Sequence, residues 1–127
     1  MGSSTGMQIA ARRLDALRVV VDISGEMDAY TSPRAKQMMA GLIEEGCRHL
    51  IINLRHLSFI DSSGLGTLLG TLRRAREQGG SLRLVAPPTH VRRIFEITRL
   101  TYSFPIDASE DDARLQIAKE APEARAA

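Results

Sequence analysis

Residues 48–54, RHLIINL, form a nearly continuous apolar run of strand length. An alternating strand leaves one face to water. A run without alternation is expected where both faces are covered, as in the parallel sheets of α/β proteins. The segments around it supply the cover. Residues 17–24 (LRVVVDIS) are rich in Val and Ile, residues 7–13 (MQIAARR) carry Ile9, and the LDA between them is short enough to turn a hairpin, which predicts two antiparallel strands. Ser32 and Pro33 are placed as N-cap and first position of a helix whose inner face is Ala35, Met38, Met39, Leu42 and Ile43, ending at Glu44, Glu45 and Gly46. A second helix is expected from Ser62 to Gln78, with Leu65, Leu68, Leu69 and Leu72 on one side and Gly79 and Gly80 as its stop.

SLRLVA (81–86) reads as the next strand, and two prolines open a third helix with Val91, Ile94, Phe95 and Thr98 inward. YSFPI (102–106) is expected as a short edge strand, because Pro105 lacks a donor for a central ladder. Ser109 caps a fourth helix whose first turn carries Glu110, Asp111 and Asp112. Strands alternating with helices give an α/β domain: a mixed, largely parallel sheet of four to five strands with four helices. Its span is residues 7–120. Residues 1–6 (MGSSTG) are read as an expression-vector remnant and 121–127 as a frayed tail.

A chain of 127 residues with 43% hydrophobic content holds one domain with a real core. Seventeen basic residues against fifteen acidic leave a net charge of only +2, and aromatics make up 4% with no Trp, so direct nucleic-acid binding is not expected. Cys47 stands alone, which excludes an internal disulfide and a cysteine-cluster metal site, and it is read as a small buried hydrophobe. No apolar stretch approaches membrane-spanning length, so a cytoplasmic protein without a membrane span is expected.

FIDSSGLGTLL (59–69) gathers an acid, two serines and two glycines at a strand-to-helix junction, immediately after the central strand. Junctions of this kind, where strand C-termini meet helix N-termini, are where function collects in α/β sheets. Asp61, Ser62 or Ser63 would each serve as helix cap, and one would suffice. Gly64 and Gly66 cost helix stability, so something approaches that backbone closely. Gly70 extends the row, and close packing of helix on sheet is the favoured account of the Gly66–Gly70 pair. A nucleophilic serine needs a base, and His49, His56 and His90 lie in no motif that marks one; the G-x-S-x-G elbow and the phosphate-loop signature are both missing. No enzymatic activity, cofactor or metal is expected. Arg73, Arg74 and Arg76 are read as a solvated helix face before a recognition patch.

LSFIDSSGLGTLLG resembles the signature of anti-sigma factor antagonists, free-standing members of the STAS domain family, and ISGEMDAYTSP is similar to their upstream strand-loop motif. With LRLVAPPTHVRRIFEITRL, the resemblance covers roughly residues 8 to 115. It implies a STAS-type fold and a bacterial regulator that is the substrate of a serine kinase, with Ser62 as the phosphorylated residue and Ser63 as the alternative. The kinase implied is the anti-sigma factor itself, with a histidine-kinase-like ATPase fold, and a PP2C-like phosphatase reverses the mark. Unmodified, such a protein binds the anti-sigma factor and frees the sigma factor. Asp28, Asp61, Ser62, Ser63, Gly64 and Gly66 are the residues expected at the partner surface, on a monomer or weak dimer. Two other readings remain open at this point: an adaptor STAS subunit of a stress-signalling assembly or a membrane transporter, and a small-ligand or nucleotide-binding STAS module.

Overall fold

In a computed structural model, residues 6–121 are described. The chain runs β1 (Met7–Arg13), β2 (Arg18–Met27), α1 (Ser32–Glu44), β3 (His49–Asn53), β4 (Leu57–Ile60), α2 (Ser62–Glu77), β5 (Ser81–Val85), α3 (Thr89–Ile97), a 3-10 turn (Leu100–Tyr102), β6 (Ile106–Asp107) and α4 (Glu110–Glu120). The strand order is β1-β2-β3-β5-β6, with β1 antiparallel to β2 and the others parallel. β3 lies in the middle, and its unbroken apolar run has the expected reason: both its faces are covered. Leu50 and Ile52 turn toward one core with Val19, Val21, Leu82 and Leu84, under Met39, Leu68, Leu72 and Phe95 from α1, α2 and α3. Ile51 turns to the opposite face with Val20 and Val85, where Ala113 and Ile117 of α4 cover it.

That second face also holds an ion pair. Arg83 of β5 grips Asp107 of β6 through two bonds of 2.6 and 3.1 Å, and both residues are buried, at 8% and 9% exposure. A third bond of 3.3 Å runs from Arg83 to Glu120 at the end of α4. Since removal of one partner strands a buried charge, this pair fixes the short β6 against β5 more firmly than its two-residue ladder alone.

Several expectations are corrected. The sheet has six strands rather than four to five, because LSFI (57–60) forms β4, a parallel strand on the C-terminal part of β2. The second helix therefore follows β4, and the central strand ends before it. Thr31, and not Ser32, occupies the N-cap position of α1; Ser32 opens the helix with its hydroxyl buried and unpaired, and Pro33 follows it. The last strand is Ile106–Asp107, and Tyr102 closes a 3-10 turn with its side chain exposed, so the stretch 102–106 is not a strand. Ala121 was counted with the tail but packs against the α4 side of the sheet. Gly6, counted with the leading segment, accepts a 2.9 Å bond from the Glu26 N–H. Residues 1–5 and 122–127 lie outside the described residues.

The glycine of SGEMD has a specific task. At Gly25 the ladder register slips as β2 leaves β3 and takes up β4. The backbone there has φ +85°, and a Cβ would lie 2.1 Å from the Gly6 carbonyl oxygen. Glycine alone meets both conditions.

Candidate partner-binding surface at the start of α2

β2 and β4 end together: Met27 pairs with Ile60, and the Asp61 N–H donates to the Met27 carbonyl oxygen at 3.1 Å. The residues that follow each strand, Asp28 and Asp61, are thereby brought to the same edge of the sheet.

Asp61 is the helix cap among the three candidates. Its backbone is extended, and its Oδ1 accepts from the N–H groups of Ser63 at 2.8 Å and Gly64 at 3.2 Å. The Leu65 N–H bonds the Asp61 carbonyl oxygen at 3.0 Å. Gly64 sits where a Cβ would lie 2.7 Å from Ile60 Cγ1 and 2.8 Å from Met27 Cβ. Close packing of α2 onto the strand ends therefore happens at Gly64. Gly66 and Gly70, which were expected to pack on the sheet, do not: a Cβ at either would meet nothing within 4 Å. Leu68 and Leu72 hold the inner face instead, and the two glycines turn outward.

They turn toward a groove of about 540 Å³ between α1 and α2. Lys36, Ala40 and Ile43 line it from α1; Ser62, Ser63, Gly66, Thr67, Gly70, Thr71 and Arg74 line it from α2. Arg74 thus belongs to this surface, while Arg76 bonds the Ser103 carbonyl oxygen at 3.3 Å. Ser62 is exposed at the head of the groove. Among the described residues nothing hydrogen-bonds the hydroxyl of Ser62 or Ser63. Two of the three histidines are engaged elsewhere: His49 bonds the Ser81 hydroxyl at 2.8 Å, and His90 bonds the Ser58 carbonyl oxygen at 2.7 Å. No cluster of three metal-ligating side chains occurs among the described residues, and no helix there is long and apolar enough to cross a membrane.

Asp28 reaches this edge but spends its carboxylate locally. Its Oδ1 accepts from the N–H groups of Tyr30 at 2.9 Å and Thr31 at 3.0 Å, and its own N–H donates to the Thr31 hydroxyl oxygen at 2.9 Å. This knot presents Tyr30, 96% exposed, at the tip of the loop. Tyr30, Lys36 and Ala40 were not singled out from the sequence. The signal for Tyr30 is one of only two tyrosines in the chain, in a segment flanked by Asp28, Ser32 and Pro33; for Lys36 it is one of only two lysines.

The sequence model of the STAS domain family matches residues 8–113. The chain is 37% identical over 93 residues to the anti-sigma-B factor antagonist of Bacillus subtilis, covering 73% of this chain and 84% of that one. The structure of the anti-sigma factor antagonist SpoIIAA in its unphosphorylated form superimposes with a TM-score of 0.78 at 26% identity, over 88% of this chain and 97% of that one. An anti-sigma factor antagonist from Mycobacterium paratuberculosis gives a TM-score of 0.79 at 28% identity, over 88% and 94%. A six-stranded mixed sheet, the D-S-S-G-L-G turn at the head of α2 and these alignments agree, and the chain belongs to the STAS domain family.

Proposed function

We infer that this protein is an anti-sigma factor antagonist that acts by switching partners and has no chemistry of its own. Unmodified, it binds an anti-sigma factor and so releases a sigma factor for transcription. Phosphorylation of Ser62 by that anti-sigma factor, acting as a serine kinase, ends the binding. A PP2C-like phosphatase restores it. The observation that carries this reading is the Ser62 hydroxyl itself: exposed at the first position of α2, without a hydrogen bond among the described residues, and beside a groove wide enough for part of a partner. The names of the relatives support the same role.

The local backbone sharpens the mechanism. A phosphate carries about −1.5 to −2 charges and is favoured at a helix N-terminus. Here Asp61 already takes the Ser63 and Gly64 N–H groups, and its carbonyl oxygen takes that of Leu65. A phosphate on Ser62 finds little backbone to neutralise it and stands next to a carboxylate. Its charge projects outward, toward whatever docks. A partner shaped for a neutral hydroxyl then buries an unpaired dianion, which costs several kcal/mol, or roughly a hundredfold in affinity. Ser63, Gly66 and Asp61 frame the contact, Gly64 is buried beneath it and seats the head of α2 on the strand ends, Tyr30 and the groove extend it, and Asp28 contributes by holding the Tyr30 loop.

The test is incubation with ATP and the candidate anti-sigma kinase of the same genome, followed by mass mapping. A label on Ser62 that Ser62→Ala abolishes, with partner binding kept, is the expected result. A label on Ser63 alone moves the site by one residue, and absence of both label and binding removes the reading.

A further inference from the structure

Among the described residues, no strand pairs with the outer edge of β1. Its polar groups can be assigned from the ladder on its other side. Gly6 accepts from the Glu26 N–H and the Leu14 N–H donates to the Arg18 carbonyl oxygen, so even-numbered residues of β1 turn their peptide groups toward β2. Met7, Ile9, Ala11 and Arg13 turn theirs outward. The Met7 carbonyl oxygen is taken by the Arg34 guanidinium. Among the described residues, nothing takes the outward donor or acceptor of Ile9 and Ala11.

The usual defences of such an edge are missing. β1 has no proline and no lysine, and its register with β2 runs without a bulge from Met7 to Arg13. Its two charged residues are folded back on the domain: Arg12 bonds Asp22 at 2.6 Å and Glu110 at 2.8 Å, and Arg13 pairs with Glu45. Ala10 and Ala11 are small and exposed, so another strand meets no obstruction there.

We propose that this edge pairs two copies of the chain, antiparallel about a two-fold axis beside Ala10, with Ile9 of each copy opposite Ala11 of the other. The order of residues selects both the occupant and the register. In this arrangement Arg12 faces Gln8 and Arg13 faces Met7, which keeps the guanidinium groups of the two copies apart. A parallel copy would set arginine beside arginine. Centring the antiparallel pair on Ala11 draws the arginines toward the axis, and centring it on Ile9 sets the Ala11 N–H against the Met7 oxygen that Arg34 already holds. The Ala10 register uses Ile9 and Ala11 in full and keeps the arginines from the axis; the occupied Met7 oxygen costs it only the bond of the Arg13 N–H at the end of the ladder. Little apolar surface is covered, so the dimer is weak and concentration-dependent. The α2 surface lies elsewhere on the sheet and stays open in it.

Sedimentation equilibrium of the full chain tests this. The weight-average mass is expected to climb toward twice the chain mass as the concentration is raised into the high micromolar range. Ala11→Pro removes an N–H that the fold does not use, so it is expected to keep the single-chain mass at every concentration with an unchanged melting profile. Under mild oxidation Ala10→Cys is expected to form an intermolecular disulfide, because residues opposite each other at a non-bonded antiparallel position are about 4.5 Å apart. Ala11→Cys faces Ile9 and is expected to cross-link far less. A parent chain that stays single throughout, or Ala11→Cys that cross-links as readily as Ala10→Cys, overturns the proposal. A dimer that survives Ala11→Pro with its fold intact assigns the association to another surface, and also overturns it.

Discussion

The Asp61 N–H and the Met27 carbonyl oxygen lie 3.1 Å apart, and at that bond the two sequence motifs of the chain become neighbours. Each motif carries, just past its strand, an aspartate whose carboxylate is turned to its own backbone: Asp28 onto Tyr30 and Thr31, Asp61 onto Ser63 and Gly64. Two carboxylates at one edge would otherwise dominate its charge. With both engaged, the hydroxyls of Ser62 and Ser63 are left without a bond among the described residues, and Ser62 is the more exposed of the two.

The glycines of α2 separate sharply by position. Gly64→Ala forces a methyl against Ile60 and Met27, including the Met27 carbonyl oxygen at 2.9 Å, and is expected to destabilise by roughly 2 kcal/mol or more through overpacking. Gly66→Ala meets open space and is expected to stabilise by up to about 1 kcal/mol through helix propensity. Urea denaturation of both variants reads the difference. Equal losses would place Gly66 against the sheet after all.

Asp61→Ala removes the cap and is expected to cost about 0.5–2 kcal/mol, with Asp61→Asn keeping most of it. Thermal melts of the three proteins give the comparison. A loss in Asp61→Asn as large as in Asp61→Ala would mean that charge, rather than the accepted bonds, holds the turn.

Ser62→Glu leaves the cap bonds in place and puts its charge in solvent. Its stability is expected to stay within about 0.5 kcal/mol of the parent, as for other exposed substitutions. Its affinity for the anti-sigma factor is expected to drop about a hundredfold. Calorimetry and a binding titration on the same samples distinguish a docking effect from partial unfolding. Binding at the parent's strength would sink the charge-repulsion mechanism.

Acid should weaken the hairpin first. Burial alone would raise the Asp15 carboxyl, but Arg18 and the N–H groups of Leu17 and Arg18 outweigh it and hold it below the ordinary range. The Arg12 guanidinium holds Asp22 low against its partial burial, with help from Asn53. Both groups bind a proton less readily folded than unfolded. Their contribution is therefore complete above about pH 4 and is lost as pH falls through the lowered folded values. Urea midpoints between neutral and acid pH are expected to fall below pH 4 in the parent and to fall less in Asp15→Asn.

Much of this architecture is legible from periodicity alone. The Val- and Ile-rich runs mark β2 and β3, the short LDA turn beside β2 marks β1, and the leucine spacing marks α2 to within a residue of its end. β4 escaped because four residues paired on one side only, with Phe59 half exposed, carry too little pattern to separate from a loop. Ser32 reads as the cap in the sequence, yet Thr31 is an equally good capping type and a proline fits either of the first two helical positions, so only the backbone separates them. Spacing of four puts Gly66 and Gly70 on one face without saying which, and only the placement of Leu68 and Leu72 shows that it looks away from the sheet. The Asp61 cap and the Gly64 approach were within reach of the sequence as a class. The Arg83–Asp107 pair was not, since it joins β5 to a two-residue strand that itself depends on the pairing.

β2 carries β3 along its first half and β4 along its last residues, so the connection at 54–56 acts as a spacer of fixed length between two rungs of one rail. Adding or removing a residue there would translate the head of α2 relative to the Tyr30 loop and scramble the docking face. The turn between β1 and β2 sits at the far end of that rail, where growth or shrinkage moves neither. In diverging descendants of this chain, length variation should accumulate at the far turn while the 54–56 spacer keeps its count.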